Sequence, residues 1–99
     1  MRFRYLRSAE RDLEWFRRYY TNVFPEGRAN AKKQFKLMRQ VLGANVRAGH
    51  PVGDADSRLY VISRTPFSVI YRVRPGCIEV LAILDNRSGN HPDYARDRR

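Results

Sequence analysis

The sequence is poor in the residues that most chemistry needs. It has one cysteine, Cys77, two histidines and 10 acidic residues against 20 basic ones. A single cysteine excludes an internal disulfide and a cysteine-based metal site, and fits a reducing compartment. Cys77 lies in a β-rich run and reads as a small core side chain. No stretch approaches the ~18 consecutive apolar residues of a membrane span. The opening MRFRYLRSAERD has no apolar core, so no secretory signal is expected and the protein is placed in the cytoplasm. There is no GxxxxGK[ST], HExxH or CxxC motif, and no Ser/His/Asp set stands out. The acids are scattered. Asp54 and Asp56 sit in a loop, Glu79 and Asp85 in or beside the last strand, and their spacing does not favour a metal centre. His50 has no partner at ligand spacing. No cofactor or metal is expected.

What the chain does have is arginine. Its 99 residues carry a net charge of +10, and lysine occurs only at Lys32, Lys33 and Lys36. Arginine offers a planar fork for phosphate or carboxylate. A GC-rich genome also enriches it. The charge balance predicts an acidic partner: nucleic acid, an acidic protein segment or an anionic membrane surface. With 42% apolar and 30% charged residues the chain is foldable, and its length makes one domain.

The organising stretch is Arg58 to Leu84. Three β-branched and aromatic runs, RLYVIS, FSVIYRVR and CIEVLAIL, are separated by Thr65-Pro66 and Pro75-Gly76. This predicts an antiparallel meander of three strands. In its middle strand Phe67, Val69, Tyr71 and Val73 share one face. In the last, Ile78, Val80, Ala82 and Leu84 share a face, and Leu81 and Ile83 make the other apolar too. The last strand is therefore expected to be interior and covered at least partly on both sides. Upstream, Arg2 to Arg7 alternates as a short strand. Ser8 reads as an N-cap, with Glu10 and Asp12 in the first turn. A helix follows to about Asn22, with Ala9, Leu13, Phe16 and Tyr20 on one stripe and Trp15 and Tyr19 on a second. One stripe is expected to meet the sheet and the other the next helix. Phe24-Pro25-Glu26-Gly27 breaks the helix. A second helix runs from about Arg28 to Ala48 with Ala31, Phe35, Met38, Leu42 and Val46 on its apolar stripe. Residues 48–57 read as a polar loop, and the segment from Asp85 to Arg99 as a loop and a loosely ordered basic tail. The fold class is α+β, in the order β-α-α-β-β-β. A helical hairpin packs on one face of a small, mainly antiparallel sheet.

One cluster has chemical content. Arg87 can stabilise a pentavalent phosphate, and His91 or Tyr94 can move a proton. That is the minimum for metal-free RNA cleavage through the 2′-hydroxyl. The same residues also read as a basic tail without a reaction.

The order of elements, with SAERDLEWFRRYY, RLYVISRTPFSVIYRV and IEVLAILDNR, resembles the RelE/ParE superfamily of toxins from bacterial toxin–antitoxin modules. The resemblance runs from Arg2 to about Pro92. Its most specific parts are Ala9, Asp12 and Leu13 opening the first helix, and the Tyr71 to Val73 and Ile78 to Leu84 strands. It implies one of two activities. RelE-like members cut messenger RNA on the ribosome, and here would use Arg87, His91 and Tyr94. They carry lysines where this chain has Leu59, Tyr60, Val61 and Ile62, and an arginine where it has Ser68. ParE-like members poison DNA gyrase without being nucleases. They show a basic residue opening the first meander strand and H-x-R after the last. Arg58 and Arg87 match, and Asp85 stands at the histidine position. The resemblance is closer to ParE-like toxins. It implies no catalytic residue, and gyrase and a cognate antitoxin as partners. The antitoxin would be disordered in its C-terminal half and fold around the toxin in a hetero-oligomer. Its dock would be the groove beside the helical hairpin or an open sheet edge. The expected binding residues are Arg58, Arg64, Arg72, Arg74, Arg87, Trp15 and Tyr19. A third reading is a non-toxic binding or scaffold relative. In the gyrase reading the sheet is a scaffold, and function lies at its rim from Arg87 onward.

Overall fold

The computed structural model describes residues 1–53 and 56–88. Strand β1 (Arg2–Tyr5) leads into helix α1 (Arg7–Arg18), which runs on as a π-helical turn over Tyr19–Val23. A 3-10 turn at Pro25–Gly27 connects to α2 (Arg28–Ala44). Then come β2 (His50–Pro51), β3 (Ser57–Val61), β4 (Phe67–Arg74) and β5 (Cys77–Asp85), with a closing 3-10 turn at Asn86–Ser88. The sheet order is β1-β5-β4-β3-β2. Among the described residues, only the β1–β5 pairing is parallel. The expected α+β class and order hold. One piece was missed: His50 and Pro51 pair with Leu59 and Arg58, so the loop of residues 48–57 contains a two-residue edge strand.

Each face of the sheet has its own core. On the helix side Phe67, Val69, Tyr71, Ile78, Val80 and Ile83 pack with Ala9, Phe16, Tyr19, Tyr20, Ala31, Met38 and Leu42. On the outer side Leu59, Ile70, Ala82 and Leu84 form a smaller cluster with Val52 and Leu81. Thus β5 is interior, as its two apolar faces require.

The side-chain alternation of β5 does not run through, however. Tyr71 pairs with Val80 and Ile70 with Ala82, leaving Leu81 as a bulge. The face expected to hold Ile78, Val80, Ala82 and Leu84 is therefore split. Ile78 and Val80 face the helices, while Ala82 and Leu84 face outward. An extra residue in a period-2 strand inverts everything after it.

The first turn of α1 also differs. β1 stops at Tyr5, and the Leu6 N–H donates to Val80 O at 3.0 Å. The Leu6 carbonyl then accepts from Ala9 (2.8 Å) and Glu10 (3.1 Å), so Leu6, not Ser8, caps the helix. The Ser8 hydroxyl instead donates to Leu81 O at 2.6 Å, and Asp12 Oδ2 accepts from the Ile83 N–H at 3.1 Å. These side chains take over the β5 groups that β1 no longer reaches.

At the other end of the sheet Tyr71, fully buried, ties down the exit of α2. Its hydroxyl donates to Val46 O (2.8 Å) and accepts from the Gly49 N–H (2.9 Å). A Cβ on Gly49 would lie 2.7 Å from Leu59 O and 2.8 Å from the Tyr71 ring, so this approach requires glycine. Burial pushes the Tyr71 phenol above its ordinary pKa, so it stays protonated and able to donate.

Tyr71→Phe should leave the Gly49 N–H and the Val46 carbonyl without this partner. The expected loss is about 1–3 kcal/mol in urea unfolding with an unchanged m-value. Gly49→Ala should also destabilise. A Tyr71→Phe variant as stable as the parent would remove Tyr71 from this role.

Candidate binding surfaces

Two surfaces are built around α1. The first is the groove between the helices. The α1 stripe supplies Leu13 and Phe16, α2 supplies Phe35, and β1 supplies Tyr5. Phe16 is buried and the other three are half-buried, with the Phe16 and Phe35 rings 5.3 Å apart. Exposed Arg17, Lys32, Lys36 and Arg39 line the same groove, whose volume is about 510 Å³. Smaller hollows extend it along both ends. One holds Tyr20, Thr21 and Arg28, the other Met1, Phe3 and Gln40. Arg39 lies over the Phe3 ring at 5.6 Å. The result is a long trough of apolar side chains bordered by cations. Arg17 and Lys36 stand four residues after Leu13 and one after Phe35, so spacing held the signal that the sequence reading left unused.

The second surface is the end of β5. Arg87 grips Asp85 through both ends of its fork, Nε to Oδ1 at 2.9 Å and Nη2 to Oδ2 at 2.7 Å. The Arg87 backbone N–H also donates to Asp85 Oδ1 at 3.1 Å. The remaining arm donates to the Tyr19 hydroxyl at 2.9 Å, with the guanidinium 4.6 Å from the Tyr19 ring centre. Trp15 stands near enough to Asp85 to add a last, small contribution to the stability of its carboxylate. Arg87 and these bonds hold the Asp85 carboxyl below its ordinary range, and Asp85 and Tyr19 raise Arg87 further. Trp15 and Tyr19 were expected to meet the sheet or the second helix. Tyr19 does reach the sheet, with its ring 5.5 Å from Phe67, but Trp15 is turned to the end of β5 and is 37% exposed.

The other expected residues are dispersed. Arg58 donates to Gly49 O at 2.7 Å and so braces the exit of α2. Arg64 occupies a left-handed turn position (φ 60°) between β3 and β4, and Asn30 bonds its carbonyl at 3.2 Å. Arg72 and Arg74 lie on the outer face beside Glu79, with Arg72 Nε 2.7 Å from the carboxylate. Asp56 is 4.0 Å from Arg74 and so stands apart from Asp85. His91, Tyr94 and Asp54 lie outside the described residues. Among the described residues, no three of His, Cys, Asp and Glu converge, and no helix is long and apolar enough to cross a membrane.

Residues 3–88 match the family "ParE toxin of type II toxin-antitoxin system, parDE". Among solved structures, the fold resembles a chain of the chromosomal ParDE TA system from P. aeruginosa. The TM-score is 0.63 at 29% identity, covering 84% of this chain and 92% of that one. No curated protein matches the sequence.

Asp85 and Glu79 both have carboxyls held below their ordinary range by arginine. Their stabilisation is complete above the unfolded pKa of about 4 and lost as pH falls through the lower folded values. Thermal melts should be flat from about pH 7 to 5 and decline below about 4. Asp85→Asn should cost about 1 kcal/mol at neutral pH and flatten that acid decline. An unaltered acid slope in the Asp85→Asn, Glu79→Gln pair would reject these two groups as its source.

Proposed function

The chain belongs to the ParE toxin family of type II toxin–antitoxin systems, and we propose that it acts as a protein inhibitor of DNA gyrase. It is a ParE-like toxin. In this reading it binds gyrase, traps the cleaved-DNA state, and is neutralised by a cognate antitoxin. The observation that carries the choice of binding over cutting is the state of Arg87. Its fork is taken up by Asp85 and Tyr19, an arrangement suited to positioning a rim rather than receiving a phosphate in reaction. The exposed Trp15 beside it adds an aromatic anchor of the kind that dominates interface energetics. Trp15, Tyr19 and Arg87 therefore form the proposed contact with gyrase.

The groove between α1 and α2 is the proposed seat of the antitoxin. Its half-buried Leu13 and Phe35 call for an apolar stripe, and Arg17, Lys32, Lys36 and Arg39 call for flanking acids. An amphipathic acidic segment that folds on docking meets both demands. The neighbouring reading frame is the place to look for it.

Purified toxin should block gyrase supercoiling and accumulate cleaved DNA, while leaving ribosome-bound message intact. Cutting of ribosome-bound RNA that Arg87→Ala abolishes would reverse this conclusion in favour of a ribonuclease. An absence of growth arrest on expression would sink both readings and leave a scaffold. Trp15→Ala should weaken gyrase poisoning at least tenfold and spare antitoxin binding. Lys32→Glu with Lys36→Glu should do the opposite, weakening the antitoxin at least tenfold, which is about 1.4 kcal/mol. Both effects are readable by titration of supercoiling inhibition and by calorimetry.

A further inference from the structure

The sheet face turned away from the helices carries a second basic surface that the proposed partners do not use. Its centre is Glu79 on β5. The register sets Arg4 of β1 on one side of it and Arg72 of β4 on the other. Arg2 and Arg74 flank Cys77 in the same way, one pleat along. Glu79 is bonded to Arg72 at 2.7 Å, with Arg4 at 3.6 Å and Arg74 at 3.9 Å. The carboxylate side chain is only 11% exposed, whereas Arg4, Arg74 and Arg72 are 68%, 40% and 34% exposed. One acid thus sits beneath the arginines and leaves the face cationic. Asp56 touches its margin, 4.0 Å from Arg74.

We infer that this arginine grid, Arg4, Arg72 and Arg74 held around Glu79 with Arg2 one pleat along, binds the phosphate backbone of duplex DNA without reading sequence. Three features favour phosphate over an acidic protein segment. The side chains are guanidinium forks, which pair bidentately with phosphate. They stand in two rows about 7 Å apart along the strands and about 10 Å across β5, a spread that suits a repeating line of charge. The apolar residues of this face, the buried Leu59, Ile70, Ala82 and Leu84 and the exposed Val61, stand at its other end, so among the described residues the basic half lacks the apolar anchors that protein interfaces use. Glu79 holds the forks without neutralising them. The helical groove lies on the opposite side of the sheet, so DNA and a partner in that groove can be held together.

The test uses the full purified chain and a 20-base-pair duplex followed by fluorescence anisotropy across a salt series. The parent should bind with an affinity that falls linearly in log salt and is the same for unrelated sequences. Changing Arg2, Arg4, Arg72 and Arg74 to Gln should reduce affinity at least tenfold and make the salt slope shallower by up to about 3.6, at about 0.9 per phosphate contact. Changing Lys32, Lys33, Lys36 and Arg39 to Gln should leave most of the binding. A second readout needs no variant. Cys77, the single thiol, lies between Arg2 and Arg74 and is partly exposed, so saturating duplex should slow its alkylation by iodoacetamide several-fold. The inference is overturned if the duplex does not bind at low salt, or if binding follows the helix-two cations instead. Unchanged Cys77 alkylation in the bound state, or equal competition by polyglutamate and duplex at matched charge, would also overturn it.

Discussion

Strand β5 needs a hydrogen-bonding partner on both sides, and much of the architecture follows from how that need is met. β4 covers one side along its length. β1 covers the other only as far as Val80, where the chain must turn into α1. Beyond that point the Leu81 carbonyl and the Ile83 N–H would be left open in a largely apolar setting, at a cost of about 1–3 kcal/mol each. Ser8 and Asp12, one helical turn apart, take those two groups. The helix is thereby stitched to the strand at two points. Its rotation is fixed, so Leu13 and Phe16 face the groove while Trp15 and Tyr19 face the end of β5.

The same detail shows where sequence reading stops. Helical and strand periodicity gave the element order, because each signal lies within a few residues of chain. The bulge at Leu81 is invisible in that way. Leu81, Ala82, Ile83 and Leu84 are all apolar, so any register satisfies the pattern, and only pairing with Ile70 and Tyr71 selects one. Ser8 matched the composition of an N-cap but is spent on a strand 73 residues away. The candidate binding residues were legible as types and not as a site. Arg58 matched by position and Arg64 was expected from its type; the first also braces a helix exit and the second lies in a turn. The groove residues went unassigned because an apolar stripe between cations reads first as core and solvated face.

Scarcity of acid gives each placed carboxylate an organising role. Glu79 gathers Arg4, Arg72 and Arg74 on the outer face, and Asp85 fixes Arg87 at the rim. In a chain of net charge +10, such anchors determine which arginines are preorganised and which remain free to meet a partner. Surface cations with no ion pair among the described residues, such as Lys32 and Lys36, steer partners by long-range attraction and are the most sensitive to salt.

The parallel pairing of β1 with β5 has a consequence in time. The first strand to leave the ribosome is completed by the last, so the central sheet is a contact of very long sequence separation and forms slowly. While the final segment is still inside the exit tunnel, the nascent chain lacks the strand that α1, β1 and β4 all need. A chain made from its N-terminus can therefore close the sheet against β1 and α1 only once β5 has emerged.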